Sequence, residues 1–126
     1  MSMINNSDCI CTLKYRWINQ NPFKSIFWAA QGMAAEFATG ALLMREIELT
    51  NKNISMLLVD VEAKFTKKAI GKISFKCDKG LMIKEKVASL NSKKTKSTMW
   101  IDSIGVDESG QEVSKFKFNW SILLKK

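Results

Sequence analysis

The stretch from Asn21 to Gly40, NPFKSIFWAAQGMAAEFATG, constrains the fold most, because it reads as one helix with apolar residues on nearly every side. Asn19-Gln20-Asn21-Pro22 is a turn signal with proline placed to open a helix, and the pattern carries it from about Phe23 into the early forties. Phe27, Ala34, Ala38 and Ala41 occupy one face, with Ile26, Trp28, Phe37 and Leu42 on its flanks. Such a helix has to be enclosed, and the residues C-terminal to it must supply the enclosing surface. Gly32 and Gly40 lie inside it, each lowering helix propensity by roughly 1 kcal/mol relative to alanine, which points to a packing or access requirement.

The downstream sequence changes period from helical to alternating. In Ile54 to Thr66, Leu57, Val59, Val61, Ala63 and Phe65 are expected on one face and Asp60, Glu62 and Lys64 on the other. Gly71 to Cys77 repeats the pattern and ends at the turn Asp78-Lys79-Gly80. Thr98 to Val106 is a strand, Asp107 to Gln111 a turn, and Glu112 to Leu124 a strand alternating Phe116, Phe118, Trp120 and Ile122 with Lys115, Lys117, Asn119 and Ser121. Cys9 to Arg16 is a first strand; Leu81 to Leu90 fits a strand or a short helix, Arg45 to Asn53 is ambiguous, and Asn91 to Thr98 reads as a loop. One early helix followed by an antiparallel sheet is an α+β plan, and 126 residues with 46% hydrophobic content suit a single domain over residues 1–126.

One carboxylate interrupts the helix. At 100° per residue, Ser25, Ala29, Gly32, Gly40 and Leu43 fall within about 40° of Glu36, so the acid faces a groove floored by small residues. Burying it is costly unless something compensates. Three accounts are open: a structural carboxylate paired with Arg16, Arg45 or a backbone amide; a contact across a dimer interface; or a reactive carboxylate, raised in pKa by desolvation as general bases require. A membrane-spanning reading of Ser25 to Met44 is set aside, because Gln31, Glu36, two glycines and the amphipathic strands downstream oppose it.

Composition removes several chemistries. The chain has no histidine, which excludes Ser-His-Asp and Cys-His devices, the H-E-x-x-H helix and Cys/His zinc modules. Cys9, Cys11 and Cys77 are an odd set without C-x-x-C spacing, so packing in a reduced, cytoplasmic setting is expected and a metal site is not. The net charge of +8 suits a polyanionic partner or plain solubility. Trp17, Trp28, Trp100 and Trp120 offer aromatic faces, yet no basic helix or RNP-like segment accompanies them, so nucleic acid is not the expected partner.

Asn21 and Glu36 stand fifteen residues apart, with the helix start between them and the strands KFTKKAIGKISFKCDKG and GQEVSKFKFNWSILL beyond. This arrangement resembles the hot-dog fold, in particular the phenylacetate-degradation-type acyl-CoA thioesterases and an uncharacterised thioesterase-like subgroup beside them, over most of the chain. The resemblance implies an antiparallel sheet wrapped around one long central helix, a homodimer or tetramer joined edge to edge, and an acyl-CoA or other acyl thioester as substrate. It implies no cofactor beyond coenzyme A as part of the substrate, whose phosphates lysines would hold, and no membrane. By the same resemblance Glu36 is the general base on a water, or a nucleophile. The backbone N–H of Trp28 or Ala29 polarises the thioester carbonyl, and Asn21 positions the water or the helix start. Ser25, Gly32 and Gly40 line the substrate side. Where the family has His-Gly-Gly, this chain has Phe27, Trp28 and Ala29, whose side chains narrow the approach. A non-catalytic acyl-binding or structural protein is therefore the alternative.

Overall fold

The computed structural model describes residues 2–4, 8–14 and 28–125. Its elements are β1 (Ser2–Ile4), β2 (Cys9–Lys14), α1 (Trp28–Thr50), β3 (Ile54–Phe65), β4 (Lys72–Cys77), α2 (Gly80–Ala88), β5 (Lys96–Val106) and β6 (Glu112–Leu124). All strand pairs are antiparallel, in the order β1-β2-β4-β5-β6-β3. The α+β plan expected from the change of period is the plan observed.

One face of the sheet builds the core. Phe116, Phe118, Trp120 and Ile122 of β6 stand opposite Ser103, Ile101, Met99 and Ser97 of β5, and all are buried. Residues directly opposite in an antiparallel pair share a face, so these side chains form one layer beneath α1. The helix meets it with Ala34, Ala35, Ala38, Leu42, Leu43 and Ile47, and α2 adds Ile83 and Val87 at one side. Close approach needs missing side chains: a methyl at Gly105 would stand 2.5 Å from the Phe75 ring, so only glycine lets β5 pass there.

Two expectations change, and one open alternative is resolved. The helix runs past the early forties to Thr50, because Leu43 and Ile47 continue its buried face. It ends where Thr50 Oγ1 donates to the Ile47 carbonyl at 2.7 Å and Asn51 turns to φ +56°. Leu81 to Leu90 resolves as the short helix α2. In β3 a bulge between Leu58 and Asp60 breaks the alternation, placing Met56 and Leu58 opposite Ile122 and Trp120 on the helix side with Val61, Ala63 and Phe65, and leaving Leu57 opposite Ser121 on the other face. The helix expected from about Phe23 is described from Trp28, and its preceding turn lies outside the described residues.

The cysteines pack, as expected. Cys9 and Cys77 face each other across β2 and β4, both buried, and Cys11 is half-buried. Burial pushes the Cys77 thiol from 9.0 up to about 11, with the Lys79 backbone hydrogen bond opposing and the charges of Asp78, Cys9 and Asp102 adding. The unfolded chain releases this proton near pH 9 and the folded chain only near pH 11, so the stabilisation is complete below the lower value and is lost as pH rises to the higher. Denaturant unfolding across that window should show falling stability in the wild type and a shallower fall in Cys77→Ala; equal slopes would contradict the burial argument.

Candidate functional site

The sheet covers only one side of α1. Met33, Phe37 and Met44, at helical spacings, remain exposed, Met33 at 72%. Together with Gly40, Ala41, Met56 and Trp120 they form an open apolar groove of about 510 Å³. Its polar groups are Glu36, Arg45 and Glu48, all on the helix. The helix is thus not enclosed within one chain, contrary to the expectation from its composition. The reason is positional: β3, at the sheet edge, extends beyond the helix, and only β1, β2, β4, β5, β6 and α2 make substantial contact with it.

Glu36 sits half-buried at the boundary between the covered face and this stripe. Among the described residues no hydrogen bond or ion pair reaches its carboxylate. The guanidinium of Arg45 instead lies 3.6 Å from Glu46, a carboxylate only 6% exposed on the far side of the helix. Arg16, the other partner considered for Glu36, lies outside the described residues.

The remaining expected site residues divide. Gly40 joins Glu36 in the groove, and a methyl added to it would lie 3.4 Å from Cζ2 of Trp120. Gly32 packs under Phe116, where a methyl would lie 3.5 Å from the ring, so its small size serves contact between helix and sheet. Ala29 is half-buried, and Trp28 is 60% exposed at the first described turn. Asn21 and Ser25 lie outside the described residues.

Sequence reasoning missed Met33, Met44, Met56, Trp120, Thr39 and Glu46. The stripe at positions 33, 37 and 44 was present as a signal, but a helical wheel gives angles and not which side neighbours cover. Thr39 carries the construction under the groove: its Oγ1 donates to the Glu36 carbonyl at 2.9 Å and accepts the Trp120 indole N–H at 3.0 Å. Gln31, buried about two turns earlier, accepts from Ser114 Oγ at 2.8 Å.

The surface lysines differ in their pairing. Some on the sheet and its turns are paired: Lys67 with Asp107 at 2.7 Å, Lys76 with Asp8 and Lys115 with Asp102, both at 3.8 Å. Lys93, Lys94, Lys96 and Lys125 have no carboxylate partner among the described residues, and they gather at one end of the sheet, where the Leu124 N–H bonds the Thr95 carbonyl. Among the described residues no group of cysteine and carboxylate side chains is arranged to hold a metal ion. No helix of the described residues is long and apolar enough to cross a membrane.

Solved structures share this architecture. The chain is similar to a Pseudomonas aeruginosa protein of unknown function, named a probable thioesterase, at 16% identity and TM-score 0.82 over 98% of this chain and 82% of that one. It is also similar to a Haemophilus influenzae thioesterase, at 10% identity and TM-score 0.69 over 98% and 76%. A Staphylococcus aureus thioesterase matches at 13% identity and TM-score 0.67 over 96% and 89%. At such identities the likeness is one of fold, the hot-dog fold of thioesterase-like proteins. A family model described as a domain of unknown function, DUF4442, matches residues 1–122, and the chain belongs to that family. No curated protein matches it.

Proposed function

We propose that the protein is an acyl-CoA thioesterase of the hot-dog type, acting in the cytoplasm and using Glu36 as general base. The observation that carries this reading is a carboxylate without an ion pair or hydrogen bond among the described residues, placed at the lip of an apolar groove. The groove takes the acyl chain, and Glu36 activates a water against the thioester carbonyl. The backbone N–H of Trp28 or Ala29 faces the carbonyl oxygen, where the helix dipole favours developing negative charge. In this reading the role of Asn21 is to position the water or the helix start and that of Ser25 is to hydrogen-bond the base, while Gly32 and Gly40 keep the helix close to the sheet. Coenzyme A enters only as part of the substrate, and no further cofactor takes part. The Staphylococcus aureus neighbour has been solved with a glutamine and with a glutamate replaced by alanine, as far apart in its chain as Asn21 and Glu36 are here.

A homodimer completes the groove in this reading, with two sheets joined through β3 and any pairing into tetramers left to the same surfaces. β3 is a twelve-residue edge strand without proline, paired only with β6 among the described residues, and it exposes Leu57, Val59, Val61 and Phe65. A long apolar edge of this kind is an aggregation hazard unless another strand covers it. Val59→Lys with Val61→Lys should convert a dimer to monomer in light scattering. A wild type that is already monomeric at working concentration would remove the dimer.

The second reading, acyl binding without hydrolysis, is favoured by Trp28 and Ala29 standing where related thioesterases have glycines. Thiol release from a panel of acyl-CoAs separates the two. Hydrolysis is expected, with Glu36→Gln lowering turnover by about 100-fold or more while unfolding stays unchanged. Full activity in that variant would eliminate Glu36 as the base, and tight binding without turnover in the wild type would establish the second reading.

A further inference from the structure

The groove has flexible walls and one fixed floor. Of its large apolar residues, Met33, Met44 and Met56 are methionines, unbranched and able to adapt to different shapes. Trp120 is different. It is 6% exposed, held between Met99 of β5 and Leu58 of β3 as cross-strand neighbours. Its indole N–H is tied to Thr39 Oγ1 at 3.0 Å, and that hydroxyl is tied in turn to the backbone carbonyl of Glu36. The helix comes down on the ring at Gly40, the one position in the groove without a side chain. The ring therefore cannot swing aside to admit a longer guest.

Among the described residues the lining also lacks neutral groups that would recognise a polar acyl part. Among the described residues no serine, threonine, tyrosine, asparagine or glutamine side chain lines the groove; the polar groups they supply are two carboxylates and one guanidinium. A hydroxyl on the acyl part finds partners only at Glu36, Arg45 and Glu48 on the helix, and a hydroxyl buried away from them stays unpaired, a cost that a plain hydrocarbon chain does not meet.

We propose that the groove takes flexible aliphatic acyl chains, and that Trp120, locked by Thr39 beneath Gly40, is the specificity-determining residue that sets the longest chain admitted. This rests on the acyl-thioester reading of the groove. Shortening the side chain at 120 deepens the site. Adding a methyl at 40 fills it, and at 3.4 Å from the ring that methyl makes ordinary contact, so Gly40→Ala should fold.

The test is calorimetric titration with non-hydrolysable acyl thioethers of coenzyme A in a graded saturated series. Affinity should rise by about fourfold per methylene until the chain meets the ring, then level off. Trp120→Phe and Trp120→Leu should move the break to longer chains, and Gly40→Ala to shorter ones, with the slope before it unchanged. A merely structural role would alter stability or overall affinity without moving the break. An unmoved break in folded Gly40→Ala and Trp120→Phe would overturn the role of Trp120. Tighter binding of a phenylacetyl thioether than of the saturated chain with equal carbon count would overturn the substrate class. No binding of any thioether to the wild type would overturn the acyl reading of the groove and this inference with it.

Discussion

A long helix that is apolar on almost every side has to be covered, and a sheet from the same chain can cover only the side it faces. The rest of the structure depends on that mismatch. The covered side of α1 is made mainly of alanines, leucines and isoleucine, with Gln31, Thr39 and Glu46 among them, and its alanines let the helix settle onto the aromatic layer of β6. The uncovered side keeps Met33, Phe37 and Met44, and it borders the exposed edge strand β3. Exposing a contiguous apolar surface opposes solubility, so it is retained where something binds there. Glu36 stands at the boundary between the two sides, which is where a carboxylate can be partly dried without being sealed in.

The chain of contacts from Glu36 into the core explains how such a site is held in place. The Glu36 carbonyl, the Thr39 hydroxyl and the Trp120 indole form one line from the helix backbone to the middle of the sheet. Trp120 cannot shift without breaking a buried hydrogen bond, and an unsatisfied buried donor costs about 1–3 kcal/mol. The groove floor is therefore fixed while its methionine walls remain adaptable. Electrostatics contributes less to this arrangement, since the ion pairs lie mainly on exposed strands and turns, where each stabilises by about 0–1 kcal/mol.

Much of this was legible in the sequence. Strict alternation marked β4 and β6, turn residues marked 78–80 and 107–111, and the apolar run at helical spacing marked α1. The face assignment of β3 was not legible, because a bulge at Val59 shifts the period by one residue and nothing local announces it: Leu57 and Val61 look equivalent and face opposite ways. The segment Arg45–Thr50 was ambiguous because its charges obscure Ile47, whose burial is decided by neighbours distant in sequence. Gly32 and Gly40 were recognisable as needing a reason, but only the rings of Phe116 and Trp120 show that the reason is close packing. Glu36 was visible as an anomaly, whereas the open groove beside it depends on which part of the helix the sheet fails to reach.

The most direct measurement is methyl NMR of protein carrying labelled methionines, titrated with a non-hydrolysable acyl thioether of coenzyme A. Met33, Met44 and Met56 line the groove, while Met82 and Met99 lie outside it and serve as internal references. Saturable shifts at the first three, with little change at the other two, are the predicted result. A ligand that binds and leaves Met33, Met44 and Met56 unmoved would place the acyl chain elsewhere and contradict the role given to the uncovered face of α1.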